Sequence, residues 1–196
     1  MAADVSRTCL GALLVLLLIL GFWQVGEGTW IHLKAELAQY LLERAWERRL
    51  QGEAQAKPWP WADTWPLAKL QAPKYGVDLV VLAGASSRTL AFGPAHASAT
   101  AMPGKPGTAV LSGHRDTHFR FLERLQLGDE IFVEVPREGT SRYQVVEITI
   151  VNARHARIEA RTDRQALVLV TCYPFDAVVP GGPLRYVVTA ERHTSF

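Results

Sequence analysis

Cysteine is scarce in this sequence: its 196 residues include two, Cys9 and Cys172. Cys9 falls in an apolar N-terminal run, whereas Cys172 ends an aliphatic segment in a different kind of sequence. A disulfide framework needs more cysteines, and a zinc site of the paired-cysteine type needs CxxC spacing, so neither is expected. The sequence therefore predicts that Cys172 is a free thiol.

A strong excess of charge is also lacking. The formal net charge is +2, and apolar residues make up 48% of the chain. A nucleic-acid partner is not expected, because such binding depends on a basic surface. The apolar content excludes a disordered chain and predicts a buried core. The densest basic segment, Arg154–Arg164, is interpreted as a solvated loop, with a place beside a substrate groove as the alternative.

Charged residues are absent from Thr8 to Gly26, a run of 19 residues. A helix of about 20 apolar residues crosses the hydrocarbon core of a bilayer, so residues 1–29 are predicted to form a cytoplasmic tip and a transmembrane anchor. Arg7 and the amino terminus place the N-terminal end in the cytoplasm and the rest outside. A cleaved signal peptide, cut near Gly26 or Gly28, is the alternative.

Two segments separate the predicted anchor from the main domain. Residues 30–52 lack proline and repeat apolar side chains at helical spacing, which predicts a stalk helix. Residues 53–66 contain three prolines, which exclude a helix or a central strand and indicate a linker. Three apolar rings are too many for a solvated tether, so Trp59, Trp61 and Trp65 are expected to pack on the following domain or the stalk helix.

From residue 67 to residue 196 the pattern changes to short β-branched and aliphatic runs between Gly, Pro and Asp. Such runs indicate strands, and they lie at 67–73, 76–84, 108–114, 129–135, 142–151, 166–172 and 184–190. Two short helices are expected between them, at 86–93 and 117–128. Seven or eight strands with few helices predict an all-β domain, a closed or nearly closed β-barrel.

Two chemically versatile residues stand at the ends of predicted strands. If the strands that end near His114 and at Cys172 are neighbours and run the same way, both side chains emerge at one rim of the barrel. A thiol and an imidazole placed there could act as nucleophile and acid/base. Arg185 begins the last strand, where a guanidinium could stabilise an oxyanion. An inert, buried Cys172 is the alternative that local sequence leaves open.

The residues around His114 suggest two other roles. His114 and His118 lie four apart, but Gly113 and Arg115 do not fit a helical zinc motif, so no metal site is expected. The sequence also gives no sign of an organic cofactor. Asp116 is a candidate to orient His114, as a carboxylate does in triad chemistry.

Three stretches taken together, "LSGHRDTHF", "LVTCYPF" and "GGPLRYVV", resemble the sortases, and the similarity is greatest to the proteobacterial group called class GN. The resemblance extends to the N-terminal anchor, the Trp/Pro-rich linker, "GVDLVVLAGAS" and "LAFGP". One departure is the wider family pattern Thr-Leu-x-Thr-Cys, which begins with valine in this chain, at Val168.

The resemblance implies an eight-stranded β-barrel and a cysteine transpeptidase anchored in the inner (plasma) membrane, with its catalytic domain in the periplasm. Its substrate would be a secreted protein with an LPXTG-like C-terminal sorting signal, joined through a thioester to an amine acceptor, for example one in the cell envelope, or cleaved by water. By position, Cys172 would be the nucleophile, His114 the general acid and then base, and Arg185 the oxyanion donor. Thr171 would position the scissile bond, or be a merely buried threonine.

Two other readings remain open on the sequence. A different extracytoplasmic cysteine hydrolase, or an L,D-transpeptidase acting on peptidoglycan stem peptides, would share the thiolate and the histidine without needing Arg185. A non-enzymatic, membrane-tethered β-barrel that binds a partner would leave Cys172 buried. Thiol reactivity separates the last reading from the enzymes, since only a reactive cysteine has to be accessible.

Overall fold

The computed structural model describes residues 2–156, 164–179 and 181–192. Its side-chain description of the first helix omits residues 2–10, 12–15, 27 and 31. The chain divides into two compact units, one up to Tyr40 and the other from Leu41 onward. Most of the basic segment Arg154–Arg164, residues 157–163, lies outside the described residues.

Helix α1 runs from Ala2 to Leu50, so the predicted stalk helix is the C-terminal part of a longer helix. Arg48 and Arg49 lie in its last turn, where basic side chains complement the helix dipole. Gly52 then adopts a positive φ of 109°, which glycine tolerates without strain, and the helix ends.

The predicted membrane anchor lies within helix α1. Among the described residues, no helix contains an 18-residue stretch with the apolar character needed to span a bilayer. The side chains of residues 8–10 and 12–15, part of the predicted span, lie outside the described set. The anchor stays a prediction.

Eight strands close a barrel in the order β1-β2-β3-β4-β7-β8-β6-β5, which confirms the eight-stranded fold. Two neighbouring pairs are parallel, β2 with β3 and β4 with β7, and the other pairs are antiparallel. The strands are β1 (Pro66–Ala72), β2 (Val77–Ala83), β3 (Ala95–His96), β4 (Gly107–Ser112), β5 (Glu130–Val135), β6 (Gly139–Asn152), β7 (Gln165–Cys172) and β8 (Leu184–Arg192).

Alternating side chains of the strands fill the barrel. Leu167 and Leu169 of β7 belong to the interior cluster, together with Leu111 of β4 and Val188 of β8. Val168, between the two leucines, instead packs with residues of β4 and β8 in a separate cluster. Strand β7 is thus buried on both faces, as its continuous apolar sequence predicts.

The two short helices of the barrel domain are smaller than predicted. Helix α2 spans Ser87–Leu90, and the Oγ of Ser86 caps it by accepting a hydrogen bond from the Thr89 N–H at 3.1 Å. The second is a 3₁₀ helix at Arg120–Arg124. The residues predicted to form its apolar face are all buried: Phe119, Leu122 and Leu125.

The end of α1 and the linker that follows it, residues 51–65, pack against the outside of the barrel. Trp46 joins Val80 and Leu82 in an apolar cluster, and the Trp59 ring meets Phe92 edge-on with centroids 4.9 Å apart. The Thr64 hydroxyl donates to the Ala83 carbonyl at 2.7 Å. The linker is therefore fixed to the domain rather than a free tether.

The expectation that Trp61 packs on protein is wrong, because its side chain is 83% exposed. The Ala62 N–H donates to the Trp59 carbonyl at 3.0 Å, which closes a turn over Pro60 and Trp61. Residues at the two central positions of such a turn project outward from the surface. Trp61 points to solvent for this reason.

Candidate active site

Strands β4 and β7 lie side by side and run the same way, as the predicted site requires. Ser112 is paired with Val170, and the Gly113 N–H donates to the Val170 carbonyl at 3.2 Å. Because parallel strands end at the same edge of a sheet, His114 and Cys172 leave the barrel at one rim. Cys172 is a free, partly exposed thiol, and His114 is exposed.

Arg185 is the direct partner of Cys172 in the antiparallel ladder between β7 and β8. Its Nη1 donates to the carbonyls of Gly182 at 2.7 Å and Leu184 at 2.8 Å. Within the described part of the chain, its Nε and Nη2 make no hydrogen bond to protein. The backbone thus anchors one end of the guanidinium, and the remaining donors are available to a ligand.

The three residues share the outer face of the barrel. Side chains alternate along a strand, so Cys172 and Val168 face the same way on β7, as do Arg185 and Val187 on β8. The same alternation, continued past Ser112, brings His114 to this face. Val168 and Val187 pack with Val110 of β4 in the outer cluster, with Ala97, Val151 and Val170 beside them. These six residues are called the outer apolar strip.

Thr171 faces the interior of the barrel, where its side chain is 2% exposed. Its hydroxyl donates to the Gly113 carbonyl at 2.7 Å. This bond links the residue before Cys172 to the residue before His114, so it fixes the two strand ends relative to each other. Of the two interpretations of Thr171, its placement favours the buried strand-end residue over a direct contact with substrate.

The carboxylate of Asp116 is bonded to Arg115 rather than to His114. Its Oδ1 accepts a hydrogen bond from Arg115 Nε at 2.9 Å, and the Asp116 side chain is 65% exposed. Arg115 is itself buried, at 7% exposure, and donates to the carbonyls of Pro174 and Ala177, each at 2.6 Å. Arg115 was not predicted from the sequence, although its position directly between His114 and Asp116 could have indicated a role near the site.

His118 lies close enough to His114 for the charges of the two rings to interact. Burial of the His118 imidazole, and after it the positive charge of His114, hold the pKa of His118 below its usual value. His118 is therefore neutral at neutral pH and adds no charge beside His114.

Aromatic rings support the chain on the far side of Cys172. The Tyr173 and Tyr186 rings stack with centroids 6.2 Å apart, and Phe175 meets Tyr186 edge-on at 5.1 Å. Burial, then the charges of Tyr173 and Glu123, raise the pKa of Tyr186, which keeps its phenol neutral. The cluster packs against the barrel core and fixes the chain where it leaves β7.

Comparisons with known proteins agree with this arrangement. A family model described as the sortase domain matches residues 70–193. Sortase D of Bacillus subtilis (strain 168) is 33% identical over 126 residues, which cover 64% of this chain and 63% of that protein. The chain therefore spans less than two thirds of the length of this relative.

Solved sortase structures have a similar fold. Sortase A from Corynebacterium diphtheriae superposes with a TM-score of 0.61 at 26% identity, covering 69% of this chain and 64% of that one. A sortase D5 transpeptidase from Clostridium perfringens superposes with a TM-score of 0.64 at 24% identity, covering 81% and 99%. None of these three proteins is named as a class GN sortase, so the resemblance to class GN stays a prediction.

Proposed function

Because this chain belongs to the sortase family, we propose that it is a cysteine transpeptidase acting on a secreted protein through Cys172, His114 and Arg185. One observation carries the proposal: strand pairing brings these residues to one rim of the barrel, on the face that carries the outer apolar strip. A thiol nucleophile, a proton carrier and a cationic hydrogen-bond donor are what acyl transfer from an amide requires.

The reaction follows from the roles of the three side chains. The Cys172 thiolate attacks the carbonyl carbon of the scissile peptide bond, and Arg185 donates hydrogen bonds to the oxygen that becomes negative. The His114 imidazolium protonates the leaving amine as the carbon–nitrogen bond breaks, which leaves a thioester on Cys172. An incoming amine gives a proton to His114 and attacks the thioester, and the thiolate leaves. Water in place of the amine gives a cleaved protein.

The outer apolar strip supports a sorting signal of the LPXTG type as the substrate. Such a signal begins with leucine and proline, two apolar residues. The partly exposed side chains of the strip, Ala97, Val151 and Val170, offer an apolar surface on the face of Cys172. A peptide laid along this surface buries its apolar residues and brings a later peptide bond to the thiol.

We also propose that the enzyme works outside the cytoplasm, in the periplasm, tethered to the inner membrane by residues 1–29. The uncharged run from Thr8 to Gly26 and the positive charge of Arg7 support this location. The barrel domain contains no cysteine besides Cys172, so an oxidising compartment could not trap the nucleophile in an internal disulfide. The acceptor would be an amine of the cell envelope.

The test is to trap the thioester. Full-length protein in detergent is incubated with a quenched fluorescent LPXTG-type peptide, with and without an added peptide amine, and analysed by intact-protein mass spectrometry. We expect an acyl adduct on Cys172, transfer to the amine, and neither with Cys172→Ala. A small alkylating reagent should modify Cys172 in the folded protein and abolish turnover.

Three results would contradict the proposal or replace it. A Cys172 that resists alkylation until denaturation removes the enzyme reading. Reaction with peptidoglycan stem peptides instead of sorting peptides favours the L,D-transpeptidase alternative. If the peptide is cleaved by water and the added amine is never joined to it, the result favours a hydrolase.

A further inference from the structure

We propose that Arg115 is a positioning residue that ties the His114 loop, residues 113–119, to the Cys172 loop, residues 173–179. The inference rests on the proposed function for its effect on catalysis, whereas the contacts themselves do not. Arg115 would thereby keep the proton carrier His114 and the nucleophile Cys172 in fixed relative positions.

The guanidinium of Arg115 joins the two loops directly. Its Nη1 and Nη2 donate to the carbonyls of Pro174 and Ala177, each at 2.6 Å. Pro174 and Ala177 follow Cys172 by two and five positions, while Arg115 immediately follows His114. One side chain therefore connects the neighbour of the proton carrier to the chain that leaves the nucleophile.

Among the described residues, and past the strand ends, no hydrogen bond other than those of Arg115 joins the His114 loop to the Cys172 loop. The Gly113 N–H to Val170 bond and the Thr171 hydroxyl to Gly113 bond join the strand ends themselves. Past those ends, the bonds that Arg115 makes are the ones that cross from loop to loop. Among these hydrogen bonds, the direct connection between the two loops thus depends on this one guanidinium.

The chemistry of the side chain suits this task. A planar guanidinium presents two parallel sets of donors, so it can serve two carbonyls at once, which a lysine ammonium does less well. Asp116 accepts from the third nitrogen, Nε, at 2.9 Å and fixes the plane of the fork from the other side. Because Arg115 is only 7% exposed, its charge depends on these partners for compensation.

The consequence for the reaction is geometric. Without the guanidinium, the Pro174 and Ala177 carbonyls lose their donor, and the distance between His114 and Cys172 is less well defined. A misplacement of about 1 Å in a catalytic group can cost about 100-fold in rate. The outer apolar strip, where the substrate is proposed to bind, does not include residues of these loops. Loss of the guanidinium should therefore lower kcat and leave KM nearly unchanged.

The experiment compares full-length wild type with Arg115→Met, Arg115→Lys and the matched control Arg120→Met. Arg120 lies in the adjacent 3₁₀ helix, where it is 58% exposed and pairs with Glu123 at 3.4 Å. Each protein is assayed for kcat and KM with an LPXTG-type peptide. Backbone hydrogen exchange is followed by mass spectrometry in residues 173–179 and in strand β7, and the melting temperature is recorded.

We expect Arg115→Met to lower kcat by about 100-fold with KM within about threefold, and Arg115→Lys to fall between it and wild type. Exchange should accelerate in residues 173–179 and stay unchanged in β7. Arg120→Met should match wild type throughout. If Arg115→Met does not fold, Arg115→Lys with its intermediate kcat and faster loop exchange is the deciding variant.

The inference is overturned if the folded Arg115 variants keep wild-type kcat, or if exchange in residues 173–179 does not change. A loss of activity that only tracks the unfolded fraction overturns it as well. Failure of the proposed function looks different: wild type is then inactive on every sorting peptide. The exchange comparison still tests the loop contact in that case.

Discussion

At the scale of single residues, two constraints that act together fix the position of Arg185 beside Cys172. Its pairing with Cys172 across β7 and β8 sets its position, and the carbonyls of Gly182 and Leu184 hold one end of its guanidinium. A donor that is already fixed needs no reorganisation when negative charge develops next to it. Nε and Nη2 are the groups left to meet that charge.

Replacing Arg185 with lysine should therefore be far from conservative. An ammonium is a point charge that cannot keep its bonds to the loop carbonyls and also present a flat pair of donors to an oxyanion. We expect Arg185→Lys to lower kcat by roughly 10²–10³, as loss of an oxyanion donor does. Arg192→Lys, at the opposite end of the same strand, is the matched control for steady-state kinetics. Near-normal turnover of Arg185→Lys would remove Arg185 from the mechanism.

The sequence allowed Cys172, His114 and Arg185 to be singled out because each stands near the end or the start of a predicted strand. Arg115 could not be found in the same way. Its partners are the backbone carbonyls of Pro174 and Ala177, which every residue type supplies, and their position depends on how the chain turns after β7. Asp116 was assigned to His114 by proximity in sequence, although its nearest donor is Arg115.

At the scale of elements, Gly113 connects β4 to the 3₁₀ helix where no side chain has room. A Cβ at this position would come within 2.8 Å of the buried Phe119 ring. We expect Gly113→Ala to destabilise the fold by about 1–3 kcal/mol, the usual cost of overpacking, and to lower kcat because the end of β4 carries His114. Thermal unfolding and kinetics measure both effects.

Gly28→Ala is the control for this substitution, since a Cβ at Gly28 meets nothing within 4 Å. Alanine is favoured over glycine in a helix, so this variant should be no less stable than wild type. A Gly113→Ala protein that melts and turns over as wild type does would show that Phe119 moves aside at no cost.

The elements differ in how well the sequence could predict them. The second short helix is 3₁₀ because Phe119, Leu122 and Leu125 recur every three residues, which is the period of a 3₁₀ turn rather than of an α-helix. Strand β3 was missed, since two residues, Ala95 and His96, are too few to show alternation. The longer strands were found within a few residues of their observed ends.

At the scale of the whole molecule, the site exists because the barrel closes with β4 beside β7. The strands between them in sequence, β5 and β6, lie elsewhere in the barrel. Strand order is set by non-local packing that local patterns do not record, so alternation predicted the strands but not their neighbours. The count of eight strands came from the family resemblance, whereas the order of the strands was not predicted.

The whole chain should also be membrane-bound, if the run from Thr8 to Gly26 is an anchor. We expect full-length protein to stay in the membrane pellet after alkaline carbonate extraction, because a spanning helix of about 20 apolar residues is held by its buried surface. Leu17→Arg is a graded perturbation, since arginine at the centre of a span costs about 2.5–3.5 kcal/mol, and it should shift protein toward the supernatant. Leu37→Arg, beyond the predicted span, is the matched control.

Protease added to spheroplasts then separates an anchor from a signal peptide. With an uncleaved anchor and the N-terminus inside, the chain has its full length before protease is added. The protease then digests the barrel domain from outside, while an N-terminal tag stays protected. A cleaved signal peptide gives a mature chain that begins near Gly28 and is released in soluble form. Full-length protein that carbonate extracts completely would contradict both the anchor and the tethered enzyme, because residues 1–29 would then not hold the barrel at the membrane.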